Sequence, residues 1–314
     1  MKAKKLISVV CAVFNEEENV LDCYQAIKKV LVEELYEYDH EIIVCDNAST
    51  DRTLVMFKDL ALTDRKLKII ANSRNFGAAR SAFNGLMHAC GDAVIFAISA
   101  DLQDPPSLIP SFVEKWKQGY QVVYGIRTKR QEKRLLTVMR KLYYRVIQKA
   151  ADFTIPADVG DFQLLDRVVV DALREMEDYY PYTRGLIPSC GFNRTGVEYT
   201  HLKREKGTAK GVPMLLVDMG LNGLISVTKL PMRLRLLSGV VVLLGSLTAF
   251  LIYLLYLLAH RSGASAWTAA LLVLFFLSGV QLLFLGLLGE YIAAIHFQVR
   301  KRPLVIAKEK INFD

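Results

Sequence analysis

Four polar clusters recur in the first third of the chain, each directly after a short apolar run. The clusters are Asn15-Glu16, Asp46-Asn47, Asn72-Ser73-Arg74-Asn75 and Asp101-Leu102-Gln103-Asp104. One such cluster alone is more typical of a turn, but four at matching positions predict a ligand site of carboxylate and amide groups. No G-x-G-x-x-G follows the first run and no P-loop is present, which disfavours a dinucleotide-binding or NTPase site.

The clusters need a scaffold that brings them to one edge, and the alternation of apolar runs with helical stretches predicts such a scaffold. Strands are predicted at Leu6–Val13, Glu41–Cys45, Leu67–Ala71, Ala93–Ser99 and Gln121–Gly125, with helices between them. This alternation favours an α/β fold with a doubly wound, mostly parallel sheet. Ligands of such sheets bind beyond the carboxyl ends of the strands, where the polar clusters lie.

The apolar excess of the sequence lies near its carboxyl end. The chain has 314 residues, of which 52% are hydrophobic, and a net charge of +8. Residues 237–259 and 267–289 contain no charged side chain. A helix of either length would measure about 34 Å, and a hydrocarbon core is about 30 Å thick. We therefore expect a C-terminal two-helix transmembrane hairpin rather than two buried core helices.

Basic residues flank this hairpin on its outer sides. Arg233 and Arg235 precede it and residues 300–302 (Arg-Lys-Arg) follow it, whereas the connecting turn holds only Arg261. The positive-inside rule then places both termini and the first 230 residues in the cytoplasm, as expected for an integral protein of the plasma or inner membrane. The five cysteines lack C-x-x-C spacing, which predicts free thiols in a reducing compartment.

Six motifs in order resemble the membrane-anchored branch of the inverting family 2 glycosyltransferases, which glycosylates polyprenyl phosphates. That branch includes the dolichol-phosphate mannose synthases and the bacterial undecaprenyl-phosphate glycosyltransferases. The motifs are VVCAVFNEE at 9–17, DNASTD at 46–51, RNFG at 74–77, DLQDPP at 101–106, GDFQLL at 160–165 and GEY at 289–291. The resemblance runs from about residue 6 to residue 303, nearly the whole chain.

The resemblance implies a GT-A-like fold and transfer of a sugar from a nucleotide diphosphate to a lipid phosphate, with Mg²⁺ or Mn²⁺ as the cofactor. It assigns Asp101 and Gln103 to the metal, whose preferred ligands are hard oxygens. It assigns the nucleotide sugar, with UDP favoured over GDP, to Val13, Phe14, Asn15, Glu16, Asp46, Asn47, Arg74 and Asp101. Two positions depart from the family pattern, because Ser99 and Asn47 each stand where the family usually has Asp.

The resemblance makes Asp161 the candidate catalytic carboxylate, with Asp158 as its rival. A phosphate monoester has a second pKa near 6, so a lipid phosphate is largely ionised at neutral pH and needs little help from a base. Asp161 would then position the acceptor or stabilise the oxocarbenium-like sugar.

A basic stretch between Arg127 and Lys149 is the candidate acceptor-binding segment. It contains nine basic residues and one acid, and its apolar residues recur at helical spacing, as in helices that lie in a membrane interface. The alternatives are a helix with a solvated face and a nucleic-acid site, and the absence of a nucleic-acid module disfavours the latter. Candidate phosphate-binding residues are Arg127, Arg134, Arg140, Lys141 and, in a loop that resembles the family's R-x-x-G-x-[ST]-K, Arg204 and Lys206.

The sequence thus divides into a glycosyltransferase domain (1–210), interfacial amphipathic helices (211–236), two membrane helices and a cytoplasmic tail (290–314). The predicted function is sugar transfer to undecaprenyl or dolichyl phosphate at the cytoplasmic membrane face, by a homo-oligomer. The alternative is a catalytically impaired relative that binds or flips lipid. A processive polysaccharide synthase is disfavoured, because the chain lacks a Q-x-x-R-W motif and further membrane helices.

Overall fold

The computed structural model describes residues 4–128, 153–154, 159–179, 181–200, 202, 204, 206, 241, 244–245, 248, 252 and 266–313. The predicted interfacial helices (211–236), most of the first predicted membrane helix and most of the basic stretch after Arg127 lie outside these residues.

A mixed sheet of eight strands forms the centre of the described fold, which is consistent with the GT-A arrangement. The strands are β1 (Leu6–Val13), β2 (Asp39–Asp46), β3 (Leu67–Asn72), β4 (Ala93–Ser99), β5 (Val122–Arg127), β6 (Val159–Asp166), β7 (Arg194–Tyr199) and β8 (Ala307–Ile311). Their order across the sheet is β7-β5-β6-β4-β1-β2-β3-β8. The five predicted strands are confirmed to within a few residues, whereas β6, β7 and β8 were not predicted.

The parallel pairing of β1 with β2 and β4, and of β2 with β3, confirms the expected sheet at its centre. Strands β6 and β8 run antiparallel to their neighbours. The register places Val13 beside Asp46 and Asp46 beside Ala71, while Ala12 pairs with Ser99. The loops that carry the four polar clusters therefore leave the sheet at the same edge.

Helices cover both faces of the sheet. They are α1 (Val20–Lys29, continued by a π-helical turn, Val30–Glu34), α2 (Thr53–Thr63), α3 (Ala78–His88), α4 (Ile109–Lys117), α5 (Arg167–Glu175), α6 (Thr183–Ser189) and α7 (Ala266–Val299). Alternate strand residues face opposite layers, as the pleat requires: Val9 and Val44 pack with α1, α2 and α4, whereas Val10 and Ile43 pack with α3, α5 and α6.

The carboxyl-terminal residues return to the sheet rather than forming a separate tail. Helix α7 ends at Val299, and β8 then pairs antiparallel with β3 at the sheet edge. The Asn312 amide donates to the carbonyl oxygens of Ala61 (3.1 Å) and Leu67 (2.8 Å), which closes this edge. In the part of the chain that the structure describes, no helix unites the length and apolar composition that a bilayer crossing requires.

Candidate active site

The loops after β1 and β2 are tied together by Asn15. Its backbone N–H donates to Ser49 Oγ (2.9 Å), and its Oδ1 accepts from the Thr50 N–H (2.7 Å). Asn15 has a φ of +52°, a left-handed conformation that asparagine tolerates better than most residues. These contacts hold Glu16 and the Asp46 loop next to each other, as the positions of the polar clusters predicted.

Asp46 lies at the bottom of this edge and is fully buried. Its Oδ2 accepts from the Ser49 N–H (3.1 Å), whereas its buried Oδ1 has no hydrogen-bond partner among the described residues. Burial raises the pKa of Asp46, and hydrogen bonds from Ser49 offset only part of that rise. Because an unpaired buried acceptor is costly, Oδ1 is suited to accept an N–H from a ligand such as a nucleobase.

Asn47 belongs to a network of asparagines that shapes the next loop. Its Nδ2 donates to Asn75 Oδ1 (2.8 Å), and its Oδ1 accepts from Asn72 Nδ2 (3.1 Å) and from the Phe76 N–H (2.9 Å). The amide is only 3% exposed. The structure therefore places Asn47 in the support of residues 72–77.

Asp101 is held in place by its own loop. Its Oδ1 accepts from Ser99 Oγ (2.7 Å) and from the Gln103 N–H (3.2 Å). Gln103 Nε2 donates to the Leu202 carbonyl (3.2 Å), which leaves the Gln103 amide oxygen as the only atom that side chain can offer a cation. The hydroxyl of Ser99, at the position where the family usually has Asp, thus orients Asp101.

These donors fit a divalent cation that is held mainly by its substrate. Among the described residues, no three His, Cys, Asp or Glu side chains lie close enough to form a metal cage. Mg²⁺ is usually bound by one or two carboxylates together with phosphate oxygens and water. Asp101, with the amide oxygen of Gln103, would hold such an ion once a diphosphate supplies the remaining oxygens.

Arg204 joins the carboxylates of Glu16 and Asp101. Its Nη2 donates to Glu16 Oε1 (2.8 Å) and Oε2 (2.6 Å), and its Nη1 donates to Asp101 Oδ2 (3.3 Å). The sequence predicts that both Arg204 and Lys206 bind phosphate. Arg204 Nε donates to the Lys206 carbonyl (2.8 Å), but the charged end of Lys206 pairs with Asp22 of α1 (2.6 Å), and both of those side chains are exposed.

A cleft of about 480 Å³ opens beside Ser99 and Asp104, and Asp161 lies on its wall. The Asp161 carboxylate accepts from Arg184 Nη2 (2.9 Å), Arg184 Nε (3.2 Å) and Thr183 Oγ1 (3.1 Å). Burial would raise the pKa of Asp161, but the Arg184 charge and these hydrogen bonds outweigh it and hold that pKa below its usual value. Asp161 is therefore an ionised carboxylate rather than a strong base.

A second arginine–carboxylate pair lines the same cleft. Arg127 Nη2 donates to Asp104 Oδ1 (3.1 Å) and Oδ2 (3.2 Å), while Arg127 Nε donates to the Tyr199 hydroxyl (2.9 Å). The predicted phosphate ligand Arg127 and the predicted catalytic residue Asp161 thus face one cavity.

The remaining predicted residues are divided. Val13 and Phe14 end β1 and begin its loop, and the guanidinium of Arg74 stacks 4.0 Å from the Phe76 ring centroid. Arg134, Arg140, Lys141 and Asp158 lie outside the described residues. Sequence reasoning missed the roles of Thr183, Arg184 and Tyr199, and the only local signal was the alternation of polar and apolar residues toward Tyr199.

The carboxyl edge of the sheet carries three groups with different chemical functions. It has a buried acceptor for a base at Asp46, an oxygen ligand for a cation at Asp101, and a cleft in which arginines neighbour an ionised carboxylate. Arginine is well suited to bind phosphate because its planar fork donates two parallel hydrogen bonds. The site can therefore hold a nucleotide at one end and an anionic group at the other.

The chain is similar to known glycosyltransferases. The family described as "Glycosyl transferase family 2" matches residues 8–174. An uncharacterised glycosyltransferase of Bacillus subtilis, YkcC, is 34% identical over 98% of this chain and 94% of its own length. The bactoprenol glucosyl transferase of Shigella phage SfII is 33% identical over 96% of this chain and 97% of its own. The mannosyltransferase PcManGT of Pyrobaculum calidifontis, solved with GDP-Man and Mn²⁺, is 17% identical over 95% of this chain and 88% of that chain, with a TM-score of 0.47.

Proposed function

The chain belongs to glycosyl transferase family 2, and from this premise we propose that it transfers a sugar from a nucleotide diphosphate sugar, UDP-linked in preference to GDP-linked, to a polyprenyl phosphate. A phosphate oxygen of the acceptor forms a bond to the anomeric carbon, and the bond from that carbon to the diphosphate breaks with its electron pair on the leaving oxygen. The attack from the opposite side inverts the configuration of the sugar.

The observation that carries this proposal is that Asp161, which is paired with Arg184, lines the same cleft as Arg127. A hydroxyl acceptor requires a base whose pKa lies near the working pH. Asp161 has a lowered pKa instead, which suits an acceptor that is already ionised. Arg127 would attract the acceptor phosphate, and the Asp161 carboxylate would stabilise positive charge at the anomeric carbon.

The donor end of the site supports the nucleotide. Asp46 Oδ1 would accept an N–H of the base, and a divalent cation, when bound at Asp101, would neutralise charge that develops on the leaving diphosphate. The polyprenyl acceptor is supported by relatives of nearly equal length that are named bactoprenol glucosyl transferases.

Membrane attachment is part of the proposal. Its support is the pair of 23-residue uncharged segments, 237–259 and 267–289, and the exposed apolar side chains of α7, among them Trp267 and Leu282. We place the catalytic domain on the cytoplasmic side because the basic residues flank the outer ends of these segments.

The direct test is transfer of radiolabel from UDP-sugars and GDP-sugars to undecaprenyl phosphate by the purified full chain in phospholipid vesicles with Mg²⁺ or Mn²⁺. We expect label in the organic phase from at least one donor, none with undecaprenol as the acceptor, and none after chelation by EDTA. Asp161→Asn should lower kcat far more than donor affinity. Binding of undecaprenyl phosphate without transfer from any donor would support the lipid-binding alternative and overturn the proposal.

The orientation has its own test in the chain's thiols. Cys90 is exposed on the catalytic domain, and Ser262 lies in the predicted turn between the two uncharged segments. In intact cells, a membrane-impermeant maleimide should label Ser262→Cys and should spare Cys90 until the cells are opened. Labelling of Cys90 in intact cells would place the catalytic domain on the outer side.

A further inference from the structure

Tyr199, at the end of β7, lies behind the cleft and joins the two members of its second ion pair. Its hydroxyl donates to Asp104 Oδ1 and accepts from Arg127 Nε (2.9 Å). Tyr199 is 7% exposed and Asp104 is 4% exposed, so both polar groups depend on these contacts rather than on water. The three side chains come from β7, from the loop after β4 and from β5, and they form one cluster.

The packing around the Tyr199 ring and the Arg127 guanidinium is tight. A Cβ atom at Gly125 would lie 2.7 Å from Tyr199 Cε1, and one at Gly160 would lie 3.0 Å from Arg127 Nη2. The ring of Phe162 packs edge-on against the Tyr199 ring, with centroids 6.2 Å apart. Two glycines thus provide the space that the phenol ring and the guanidinium occupy, and the ring has little freedom to shift.

Tyr199 differs from its two partners in its position relative to the cleft. Arg127, Asp104 and Asp161 line the cleft, whereas Tyr199 is not among the described residues that line it. Tyr199 can therefore influence a ligand there only through the groups it holds. The hydroxyl fixes Nε of Arg127, while Asp104 fixes Nη2, so the guanidinium plane is held at two points.

We propose that Tyr199 is a positioning residue for the acceptor: its hydroxyl orients Arg127 so that the guanidinium meets the phosphate of the lipid, a role that rests on the proposed function. Without the hydroxyl, Nε loses its partner and the guanidinium can rotate about the bond that the phenol had fixed. Loss of one hydrogen bond between the guanidinium and the phosphate would weaken acceptor binding about 10-fold. The hydroxyl of Tyr199 contacts neither Asp46 nor Asp101, which lie at the nucleotide end of the site.

Tyr199→Phe tests the proposal, because it removes only the oxygen and keeps the ring against Phe162. We expect the apparent KM for undecaprenyl phosphate to rise about 10-fold, with kcat and the KM for the sugar nucleotide within about twofold of the parent. The matched control is Tyr24→Phe. The Tyr24 hydroxyl also joins an aspartate, Asp64 (2.7 Å), to a cation, Lys28 (2.7 Å), but it does so on α1, away from the cleft. The control should leave all three constants unchanged.

A double-mutant cycle with Arg127→Lys shows whether Tyr199 acts through Arg127. Lysine keeps the charge but has no Nε–H for the phenol, so Arg127→Lys should itself raise the lipid KM. Adding Tyr199→Phe to it should then have no further effect. Equal increases in both backgrounds would overturn the proposal, and so would an unchanged lipid KM in Tyr199→Phe. If Tyr199→Phe fails to fold, Arg127→Lys still tests the proposal, because a parental lipid KM in Arg127→Lys would overturn the role of Arg127 on which the proposal depends. Failure of the parent chain to glycosylate undecaprenyl phosphate would instead overturn the proposed function.

Discussion

Two ion pairs with the same exposure lie at opposite edges of the sheet. The side chains of Arg127 and Asp104 are 20% and 5% exposed at the carboxyl edge, and the side chains of Lys68 and Glu41 are also 20% and 5% exposed at the amino edge. Each carboxylate additionally accepts a hydrogen bond from a hydroxyl, that of Tyr199 in the first pair and that of Ser8 (2.5 Å) in the second. By burial and pairing alone the two clusters are alike.

The clusters differ in what their remaining contacts reach. Glu41 Oε1 also accepts from the Cys90 N–H (2.7 Å), and Ser8 Oγ accepts from the Gly91 N–H (2.8 Å), so the pair closes a turn of the backbone. Arg127 and Asp104 instead line a cleft that Asp161 shares. Buried, perturbed ion pairs occur in structural networks as well as in active sites, and here the opening to a cavity separates the two cases.

The largest expected difference between the edges is in the loss of a carboxylate. Asp101→Ala should lower metal-dependent transfer about 1,000-fold with a smaller effect on stability, a loss of about 1 kcal/mol, because Ser99 Oγ, the Gln103 N–H and Arg204 lose a partner. Glu41→Gln should do the reverse and cost about 2 kcal/mol of stability with kcat near the parental value. Kinetics and thermal unfolding of both variants provide the measurement. Near-normal turnover of Asp101→Ala with added Mn²⁺ would remove Asp101 from the site.

Removing Arg184 from the carboxyl edge should change the pH dependence of kcat, whereas removing Lys68 from the amino edge should change the pH dependence of stability. Arg184 lowers the pKa of Asp161 against the effect of burial, so Arg184→Gln raises that pKa. Asp161 is then protonated over a wider acidic range, the acid limb of kcat moves to higher pH, and kcat falls about 10-fold at neutral pH.

The control for Arg184→Gln is Lys68→Gln. Burial would raise the pKa of Glu41, but Lys68, Ser8 and Cys90 lower it on balance. A depressed carboxyl pKa contributes stability above the unfolded value of about 4.3, and this is lost as pH falls through the folded value. The melting temperature of Lys68→Gln should therefore lie below the parent at neutral pH and converge with it in acid. An acid limb of kcat that stays in place in Arg184→Gln would show that Asp161 does not titrate in the reaction.

The sequence predicted the central strands and the edge at which the polar clusters meet, because both depend on local patterns. Strand β1 and the loops after β1, β2 and β4 are recognisable from runs of apolar residues that end in polar ones. The partners of those loops come from far along the chain: Arg184 reaches Asp161 across 23 residues, and Tyr199 reaches Asp104 across 95. Spacing in one sequence carries no signal of such contacts. Strand β8 was missed because three of its five residues are charged and its pairing is with an edge.

Ser99 sharpens the comparison within the carboxyl edge itself. Its hydroxyl donates to Asp101 (2.7 Å), so an aspartate there would place two carboxylates side by side. Two carboxylates at that distance repel each other in the metal-free chain, whereas both can bind a cation that lies between them. Ser99→Asp should tighten Mn²⁺ binding in the presence of UDP about 5-fold, as measured by electron paramagnetic resonance, and lower the melting temperature of the metal-free chain. Ser99→Asn is the neutral control, and equal Mn²⁺ affinity in both variants would contradict the expectation.

The smallest expected effect concerns Asn47, which lies at the carboxyl edge but has the contacts of a structural residue. The resemblance assigned it to the nucleoside, whereas its Nδ2 donates to Asn75 Oδ1 and its Oδ1 accepts from Phe76 and Asn72. Asn47→Asp restores the family's usual residue but removes the donor, so a carboxylate oxygen would face Asn75 Oδ1 without a proton between them.

We expect Asn47→Asp to lose about 1 kcal/mol of stability and to bind the UDP-sugar within about twofold of the parent, as measured by thermal unfolding and titration calorimetry. Asn193→Asp makes the same change in charge at an exposed residue and should alter neither quantity. If Asn47→Asp kept its melting temperature and changed nucleotide affinity instead, Asn47 would belong with Asp46 as a nucleoside ligand. Asn47 would then count among the ligand-binding residues of the carboxyl edge rather than among the structural ones.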